Sequence, residues 1–243
     1  MKKLYEKSEM TFAVLWIVIY TAGIGTLKSN FGLYSLWPML GLTAISIAMF
    51  LFVNRNGLTY KYGLAGWAKN SRAMLWFVPL WIVSCINLFG GIRPDHPVPG
   101  LIYAAVSMAL VGFVEELIFR GFLFKAMLKD GSVRTAIIVS SLTFGIGHIV
   151  NLFTGQDLTE TLKQMVFAVA MGFIFTLVFY RSGSLLPGIL AHSFIDVSSV
   201  FASDEVSKTL DTALHIAVFV IAVAYCLYLA KRVRTPSPAD RKK

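Results

Sequence analysis

Charged side chains are scarce in this sequence, and their scarcity restricts the class of protein. Asp, Glu, Lys and Arg make up 14% of the 243 residues, whereas 56% are hydrophobic and the mean hydropathy is +0.69. Soluble domains carry about 25% charged residues, so the composition excludes an ordinary soluble globular protein. The sequence therefore predicts an integral membrane protein.

Cysteine is nearly absent, and the signatures of several protease classes are missing. Cys85 and Cys226 each lie in the middle of an apolar stretch, where a thiol usually serves as a small buried hydrophobe. The chain has no His-Glu-x-x-His pair, no Gly-x-Ser-x-Gly elbow and no intramembrane Gly-x-Gly-Asp. These absences argue against a disulfide framework, a zincin site and a serine-hydrolase site.

Long apolar stretches are what the sequence has in abundance. Each is close to the roughly 20 residues that an α-helix needs to cross about 30 Å of hydrocarbon. We therefore predict an all-α, polytopic membrane protein with about eight transmembrane helices. The apolar windows cover residues 10–27, 29–54, 73–92, 97–114, 135–156, 164–180, 184–203 and 212–230.

The basic residues indicate how these spans are oriented. If the spans alternate in direction, all 22 Lys and Arg residues except Lys28, Arg93, Lys163 and Lys208 fall on the side that holds both termini. Because loops rich in Lys and Arg stay in the cytoplasm, both termini are predicted to be cytoplasmic. The net charge of +9 is therefore explained by basic residues that orient the protein in the lipid bilayer. No nucleic-acid partner is expected.

The predicted spans divide the chain into three parts. Residues 1–96 hold N-terminal helices for packing and anchoring, and the basic, aromatic segment 55–72 suits either the headgroup layer or an ordinary loop. Residues 97–203 form a helical core that contains the buried charges and is predicted to be catalytic. Residues 204–243 hold the last transmembrane helix and a basic tail.

Three charged residues interrupt the fourth span. Glu115 lies 14 residues before Lys129, or about 21 Å along a helix that continues until Gly131. Ionisable side chains at that depth are costly and by default indicate function. Glu116 and Arg120 are i,i+4 neighbours that can pair, which leaves Glu115 as the carboxylate available for chemistry. A purely structural ion pair is the alternative.

Two histidines and an aspartate are predicted to join this cluster. His148 lies 14 residues from Arg134 and His192 lies 11 residues from Arg181, or about 21 and 16 Å from the cytoplasmic boundary. Asp196 follows His192 by one helical turn, on the same face. One histidine in a helix is often a satisfied core residue, but two at the depth of a glutamate pair predict a shared site.

Two carboxylates and two imidazoles can activate water in two ways. In the first, a glutamate is the general base while the histidines orient the water or donate to an oxyanion. In the second, Glu115, His148 and His192 hold a zinc ion and the other glutamate is the base. The residues leave both mechanisms open, so zinc is a candidate cofactor and no other cofactor is predicted.

Three ordered motifs resemble those of a known family. Glu115-Glu116-x-x-x-Arg120, Phe144-x-x-x-His148 and His192-x-x-x-Asp196 look like the motifs of the CAAX-protease and bacteriocin-processing (CPBP, or Abi) intramembrane endopeptidases. The resemblance covers about residues 100 to 200. It implies an eight-helix membrane fold, and the eukaryotic members of this family remove the last three residues of prenylated CAAX proteins.

The resemblance also implies roles for individual residues. Glu115 would be the base that activates water, Glu116 and Arg120 would support it, and His148 would assist the water. By the same likeness, the last motif would stabilise the oxyanion.

The last motif departs from the family pattern at one position. Asp196 stands where the family often has Asn, and a carboxyl group donates a hydrogen bond only when it is protonated. The difference weakens an oxyanion role for Asp196. It favours orientation of His192 or metal binding instead.

The sequence therefore predicts an intramembrane endopeptidase of the glutamic or metallo type in a bacterial cell membrane. Its substrate would be a membrane-associated or lipidated protein or peptide, reached from the cytoplasm or laterally from lipid, in CAAX-type or bacteriocin-type processing. One alternative is a non-proteolytic scaffold or bacteriocin self-immunity protein of the same fold. A proton-coupled or ion-coupled transporter is another, although it would need broken helices or repeats near the midplane.

Overall fold

The computed structural model describes residues 1–93, 96–203 and 206–235, so most of the predicted basic tail lies outside the described residues. Within these ranges the chain is helical and has no β-strand, and one isolated antiparallel bridge joins Ile92 to Ala202. The all-α prediction is confirmed. The α-helices are α1 (Lys2–Lys7), α2 (Glu9–Phe31), α3 (Leu36–Arg55), α4 (Val78–Ser84), α5 (Val98–Glu116), α6 (Phe124–Asp130), α7 (Val133–Gly147), α8 (Leu158–Ser182), α9 (Leu186–Phe201) and α10 (Lys208–Arg232).

In the described part of the chain, 6 helical stretches are long and apolar enough to cross a membrane. The protein is therefore a polytopic membrane protein, as predicted. The two other predicted spans form shorter apolar helices, Leu75–Ser84 and Leu186–Phe201. The long stretches are Glu9–Phe31, Leu36–Arg55, Val98–Lys129, Val133–Thr154, Leu158–Ser182 and Lys208–Arg232.

The third predicted span, at 73–92, is not one continuous helix. It begins with left-handed backbone at Leu75, Trp76 and Phe77, with φ of 54°, 52° and 60°, and after α4 it continues as the 3₁₀ helix Ile86–Gly90. Within that turn, the Asn87 amide donates to the carbonyl of Ile195 in α9 at 2.7 Å. Irregular backbone at membrane depth is tolerated where other helices cover it, and α9 provides this cover.

One end of the helix bundle, which we call the inner face, holds both termini. Near the N-terminus, Lys61 pairs with Glu9 at 2.5 Å. The Asn70 amide donates to the carbonyl of Arg181 at 2.8 Å, and Arg181 in turn donates to Thr235 at 3.0 Å. The first and last described segments therefore lie at the same end, and the charge distribution predicts that this end is cytoplasmic.

The opposite end, which we call the outer face, joins the other set of loops. The backbone N–H of Ser203 donates to the carbonyl of Gly91 at 3.1 Å, and Lys163 donates to Asp211 at 3.3 Å. Six of the eight predicted windows correspond to helical stretches long enough to cross a membrane, and the crossing of the other two stays a prediction. The contacts of both termini at the inner face agree with their predicted shared side.

An aromatic cluster fills the bundle near the inner face. It consists of Phe12, Tyr62, Phe122, Phe124 and Phe179, each at most 2% exposed, and we call it the inner plug. The ring of Phe122 meets those of Phe12 and Tyr62 edge to face, with centroids 5.0 and 5.1 Å apart. Aromatic pairs favour this geometry, so the plug is a packed interior and leaves no channel between these rings.

The helix that carries the glutamates is continuous from the outer face to the inner face. After α5 the backbone widens into the π-helical segment Leu117–Leu123 and then returns to α-helix in α6. As predicted, the helix stops at Gly131, which is its C-cap. Short π-helical segments interrupt α-helices frequently at functional sites, and this one begins directly after Glu116.

Close packing of α5 against α9 brings the predicted motifs together. A Cβ at Gly112 would lie 2.5 Å from the backbone nitrogen of Ser193, so only glycine allows this approach. The Ser193 hydroxyl donates to the carbonyl of Ala109 at 2.8 Å. One turn after Gly112, Glu116 of α5 faces His192, which directly precedes Ser193 in α9.

Candidate active site

Glu116 and Arg120 form the buried ion pair that their spacing predicted. Arg120 Nη1 lies 2.8 Å from Glu116 Oε1, and both side chains are fully buried. The guanidinium carbon lies 4.0 Å from the centroid of the Phe144 ring and 5.2 Å from that of Phe175. These aromatic faces favour the cation, which matters because Arg120 Nε and Nη2 have no hydrogen-bond partner.

The same carboxylate oxygen holds His192. His192 Nδ1 lies 3.0 Å from Glu116 Oε1, and a carboxylate can only accept, so Nδ1 carries the proton in this contact. The imidazole stacks on Phe175 at a centroid distance of 5.2 Å and meets Phe144 edge on at 5.5 Å. Glu116 and two aromatic rings thus fix the orientation of His192. The contact between Glu116 and His192 spans 76 residues of sequence, and helix spacing alone did not predict it.

The other ring nitrogen of His192 faces two further carboxylates. His192 Nε2 lies 3.6 Å from Glu115 Oε2 and 3.5 Å from Asp196 Oδ2. The predicted shared face of His192 and Asp196 is therefore confirmed. Glu115, Glu116, His192, Asp196 and Arg120 form one connected cluster.

Glu115 differs from Glu116 in what surrounds its oxygens. Glu115 Oε1 accepts a hydrogen bond from the Tyr20 hydroxyl at 2.6 Å, whereas Oε2 is buried without a hydrogen-bond partner. Glu115 lines a cavity of about 190 Å³, large enough for several water molecules at about 30 Å³ each. Glu116 does not line this cavity.

Tyr20 is the site residue that sequence reasoning missed. It lies in α2, a helix predicted only to pack and to anchor, and it contacts Glu115 across 95 residues of sequence. That prediction was therefore incomplete. A lone tyrosine in an apolar helix gives no signal by itself, because Tyr is common in transmembrane helices near the interface.

His148 lies on the wall of the same cavity but does not touch the cluster. It follows the last residue of α7 and begins the 3₁₀ helix His148–Thr154. Its Nδ1 lies 3.1 Å from the Phe144 carbonyl oxygen, which can only accept, so this nitrogen is the donor. His148 makes no ion pair or hydrogen bond with Glu115 or His192 in the described residues.

A second, larger cavity of about 380 Å³ adjoins the first. The two cavities share part of their walls, and the shared residues include three of the predicted site residues. The site residues therefore lie between two adjoining cavities with walls of mixed polarity. The shared wall residues are Phe144, His148, Gln164, His192, Asp196 and Ser199.

The proposed zinc ligands do not fit a metal ion. Across the described ranges, the chain has no group of three or more His, Cys, Asp or Glu side chains arranged to hold one. Among the described residues, His148 in particular makes no hydrogen bond or ion pair with Glu115 or His192. Glu115, His148 and His192 thus do not converge as a ligand set in this geometry.

Comparisons with known proteins point to a peptidase family. Residues 97–198 match the family described as "Type II CAAX prenyl endopeptidase Rce1-like", and this range contains every site residue that the motifs predicted. The chain is also 27% identical over 182 residues to "Putative membrane peptidase YdiL" of Bacillus subtilis (strain 168).

These matches have limited extent. The alignment with the Bacillus protein covers 73% of this chain and 60% of the relative, so the chain spans less than two thirds of the relative's length. No solved structure matches the chain. The family match coincides with the helices that assemble the carboxylate and histidine cluster.

Proposed function

We propose that this protein is an intramembrane endopeptidase in which Glu115 activates a water molecule to attack a peptide bond. The observation that carries the proposal is the contrast between two adjacent glutamates. Glu116 Oε1 is engaged by both Arg120 and His192, and Glu116 lines neither cavity, whereas Glu115 lines a cavity and its Oε2 has no hydrogen-bond partner. Glu116 Oε2 also lacks a hydrogen-bond partner, but it is fully buried and faces neither cavity. Glu115 is therefore the carboxylate that can accept a proton from water, as a general base.

Tyr20 contributes to this role by fixing the base. Its hydroxyl occupies Glu115 Oε1 at 2.6 Å, so only Oε2 remains for the water. After attack, the proton taken by Glu115 can pass to the leaving amine nitrogen as the C–N bond breaks. The products are a new carboxyl group and a new amine, and no other reactant is required.

His192 is suited to stabilise the oxyanion of the tetrahedral intermediate. Its Nδ1–H donates to Glu116, and this contact holds Nε2 beside Glu115 and Asp196. When Nε2 also carries a proton, it can donate that proton in a hydrogen bond to the oxyanion. A donor of this kind, preorganised in a site that excludes bulk water, can lower a barrier by several kcal/mol, about 3 or 4 in measured cases.

His148 and Asp196 take supporting roles in this mechanism. Because Nδ1–H of His148 donates to the Phe144 carbonyl, the neutral ring has an acceptor at Nε2, which can receive a hydrogen bond from the attacking water. Asp196 faces Nε2 of His192 and, as a carboxylate, it orients that ring. An ionised Asp196 does not itself donate to the oxyanion.

We propose a membrane-associated or lipidated protein or peptide as the substrate, in CAAX-type or bacteriocin-type processing, and the bacterial cell membrane as the location. A non-proteolytic scaffold or immunity protein would not require a buried carboxylate oxygen without a partner at a cavity wall. The coincidence of Glu115 Oε2, His192 Nε2 and a cavity large enough for water therefore favours hydrolysis.

Cleavage assays with purified protein and candidate membrane or lipidated peptides test this mechanism. Glu115→Gln should lower turnover by a factor of about 100 or more, since it removes a general base, and His192→Ala and His148→Ala should also lower it. Glu6→Gln changes an exposed glutamate and should retain wild-type turnover. Wild-type turnover in all three site variants would refute the mechanism.

The substrate can be sought in cells. Membrane peptides that accumulate in a Glu115→Gln strain, and not in a Glu6→Gln strain, are the expected substrates. A cellular phenotype that survives Glu115→Gln unchanged would instead support the scaffold or immunity function.

A further inference from the structure

Both cavities at the candidate site extend toward the outer face of the bundle. Beyond Glu115 and His192, the smaller cavity is lined by Lys28, Asn151 and Thr154, which lie near the outer ends of α2 and of the 3₁₀ helix after α7. None of its wall residues belongs to the loops of the inner face.

The larger cavity also extends toward the outer face. Its outer wall includes Gln156, Glu160 and Lys163 at the start of α8, together with Ser203 and Asp211 beside the start of α10. These residues belong to the loops that meet at the outer face. The space that begins at His192 therefore reaches the loops opposite the termini.

The Lys and Arg residues on the cavity walls also belong to the outer face. Lys28 and Lys163 line the two cavities, and both belong to the minority of Lys and Arg residues on the side opposite the termini. No Lys or Arg of the inner face lines either cavity. Because Lys and Arg concentrate in cytoplasmic loops, the cavities open on the side away from the cytoplasm.

The inner side of the cluster is closed. Leu117 and Ile118, which follow Glu116, are fully buried, and the inner plug packs between them and the inner face. Protein interiors of this density contain few voids larger than a water molecule. A peptide that came from the inner face would have to displace the ring of Phe122, which is 1% exposed.

The outer wall is also chemically suited to a peptide chain. Gln164 Oε1 accepts hydrogen bonds from the amides of Asn151 at 2.8 Å and Gln156 at 3.0 Å, so side-chain amides gather on this wall. Amides offer both donors and acceptors to an extended backbone. A peptide that enters here would meet polar partners before it reaches Glu115.

We infer that the scissile segment reaches Glu115 from the outer face, so that the substrate is a polypeptide segment that has crossed the membrane. An exported peptide or the outer tail of a membrane protein meets this requirement. A tail that ends in the cytoplasm, such as a prenylated CAAX tail, does not. The inference therefore favours bacteriocin-type over CAAX-type processing, and it replaces the cytoplasmic approach predicted from the sequence. The inference rests on the proposed function for its substrate, but the direction of access depends only on the cavities and on the distribution of Lys and Arg.

Side-specific labelling of single cysteines tests the direction of access without any activity assay. Cys85 and Cys226 are changed to Ser, and Ser199→Cys places a thiol on the shared cavity wall. Lys69→Cys, at an exposed position in the inner-face segment, is the matched control. A membrane-impermeant maleimide is applied to right-side-out and to inverted membrane vesicles, and Gln164→Cys provides a second wall position in case Ser199→Cys fails to fold.

The wall thiols should react at least about ten times faster in right-side-out vesicles, and the Lys69→Cys thiol should react faster in inverted vesicles. Wall thiols that react faster in inverted vesicles, or in neither preparation, would overturn the inference. Adding Glu115→Gln to each variant should leave the labelling pattern unchanged. Loss of cleavage with intact labelling, or the reverse, then shows which proposal has failed.

Discussion

The two halves of the bundle, divided at the level of Glu115 and His192, have opposite interiors. The inner half is filled by aromatic rings of the inner plug, whereas the outer half contains two adjoining cavities with polar side chains on their walls. The charged cluster lies at the boundary between them. Water can reach it from one side, while the dry interior on the other side strengthens its hydrogen bonds and ion pairs. The comparison suggests that the boundary, rather than either half, gives the glutamates their different environments.

The largest effect is expected at the boundary itself. Arg120→Ala leaves Glu116 buried without its cation, and removal of one partner of a buried pair costs about 3–5 kcal/mol. The free energy of unfolding in detergent should fall by this amount, whereas Arg72→Ala, at an exposed inner-face arginine, should have little effect. Adding Glu116→Gln to Arg120→Ala should restore part of the loss. An unchanged stability of Arg120→Ala would show that the boundary does not depend on this pair.

A smaller loss is expected in the inner half. Phe122→Ala opens a cavity in the inner plug and should lower the free energy of unfolding by about 3 kcal/mol. It should also let a maleimide applied at the inner face reach the Ser199→Cys thiol. Phe50→Ala, at a 49% exposed position of α3, is the control. Unaltered stability together with unaltered labelling would mean that the two halves are not separated by the plug.

In the outer half, the expected effect is on turnover rather than on stability. Tyr20→Phe removes the hydrogen bond to Glu115 and keeps the ring. A hydrogen bond to a charged group contributes about 1.5 kcal/mol or somewhat more, so turnover should fall about tenfold. Tyr60→Phe, at a 69% exposed position, should leave turnover unchanged. Equal turnover in both variants would remove Tyr20 from the mechanism.

The smallest effect is expected at the rim of the inner face. Burial disfavours the charged form of Lys61, but hydrogen bonds to Glu9 and Tyr5 outweigh it and raise the pKa of Lys61 above 10.5. A raised pKa in the folded state stabilises the fold below pH 10.5, and this contribution is lost as the pH rises through the folded-state value. Since the pair is partly exposed, Lys61→Met should cost at most about 1 kcal/mol.

Alkaline titration of the unfolding midpoint measures this last effect. The wild-type protein should lose stability more steeply at high pH than Lys61→Met, and the two should converge there. Parallel curves would show that the Lys61 pair contributes nothing.

Much of this arrangement could be predicted from the sequence because its signals are local. The i,i+4 spacing of Glu116 and Arg120 predicted their ion pair, and distances along helices predicted that His192 lies at the depth of Glu115. The glycine at position 131 likewise predicted where this helix ends. Each of these predictions needs only helix geometry and the thickness of a bilayer.

Other features depend on contacts that no local pattern records. Tyr20 reaches Glu115, and Glu116 reaches His192, only because α2, α5 and α9 pack together. The break in the third span depends on cover by α9, and the hydropathy of residues 73–92 does not reveal it. Which face of the bundle is open depends on the side chains that fill the interior near that face. The apolar composition of the helices does not show which end is filled and which holds cavities.

The π-helical segment Leu117–Leu123 lets the parts of the helix before and after it face different directions around the helix axis. Each residue of an α-helix advances the side chains by about 100°, so one residue accommodated in a wider turn rotates everything after it. The part before the segment is oriented so that Glu115 lines the cavity, and the part after it is oriented so that Phe124 packs in the inner plug. A single-residue deletion within the segment would restore a regular α-helix. Either Glu115 would then turn away from the cavity or Phe124 would turn away from the inner plug.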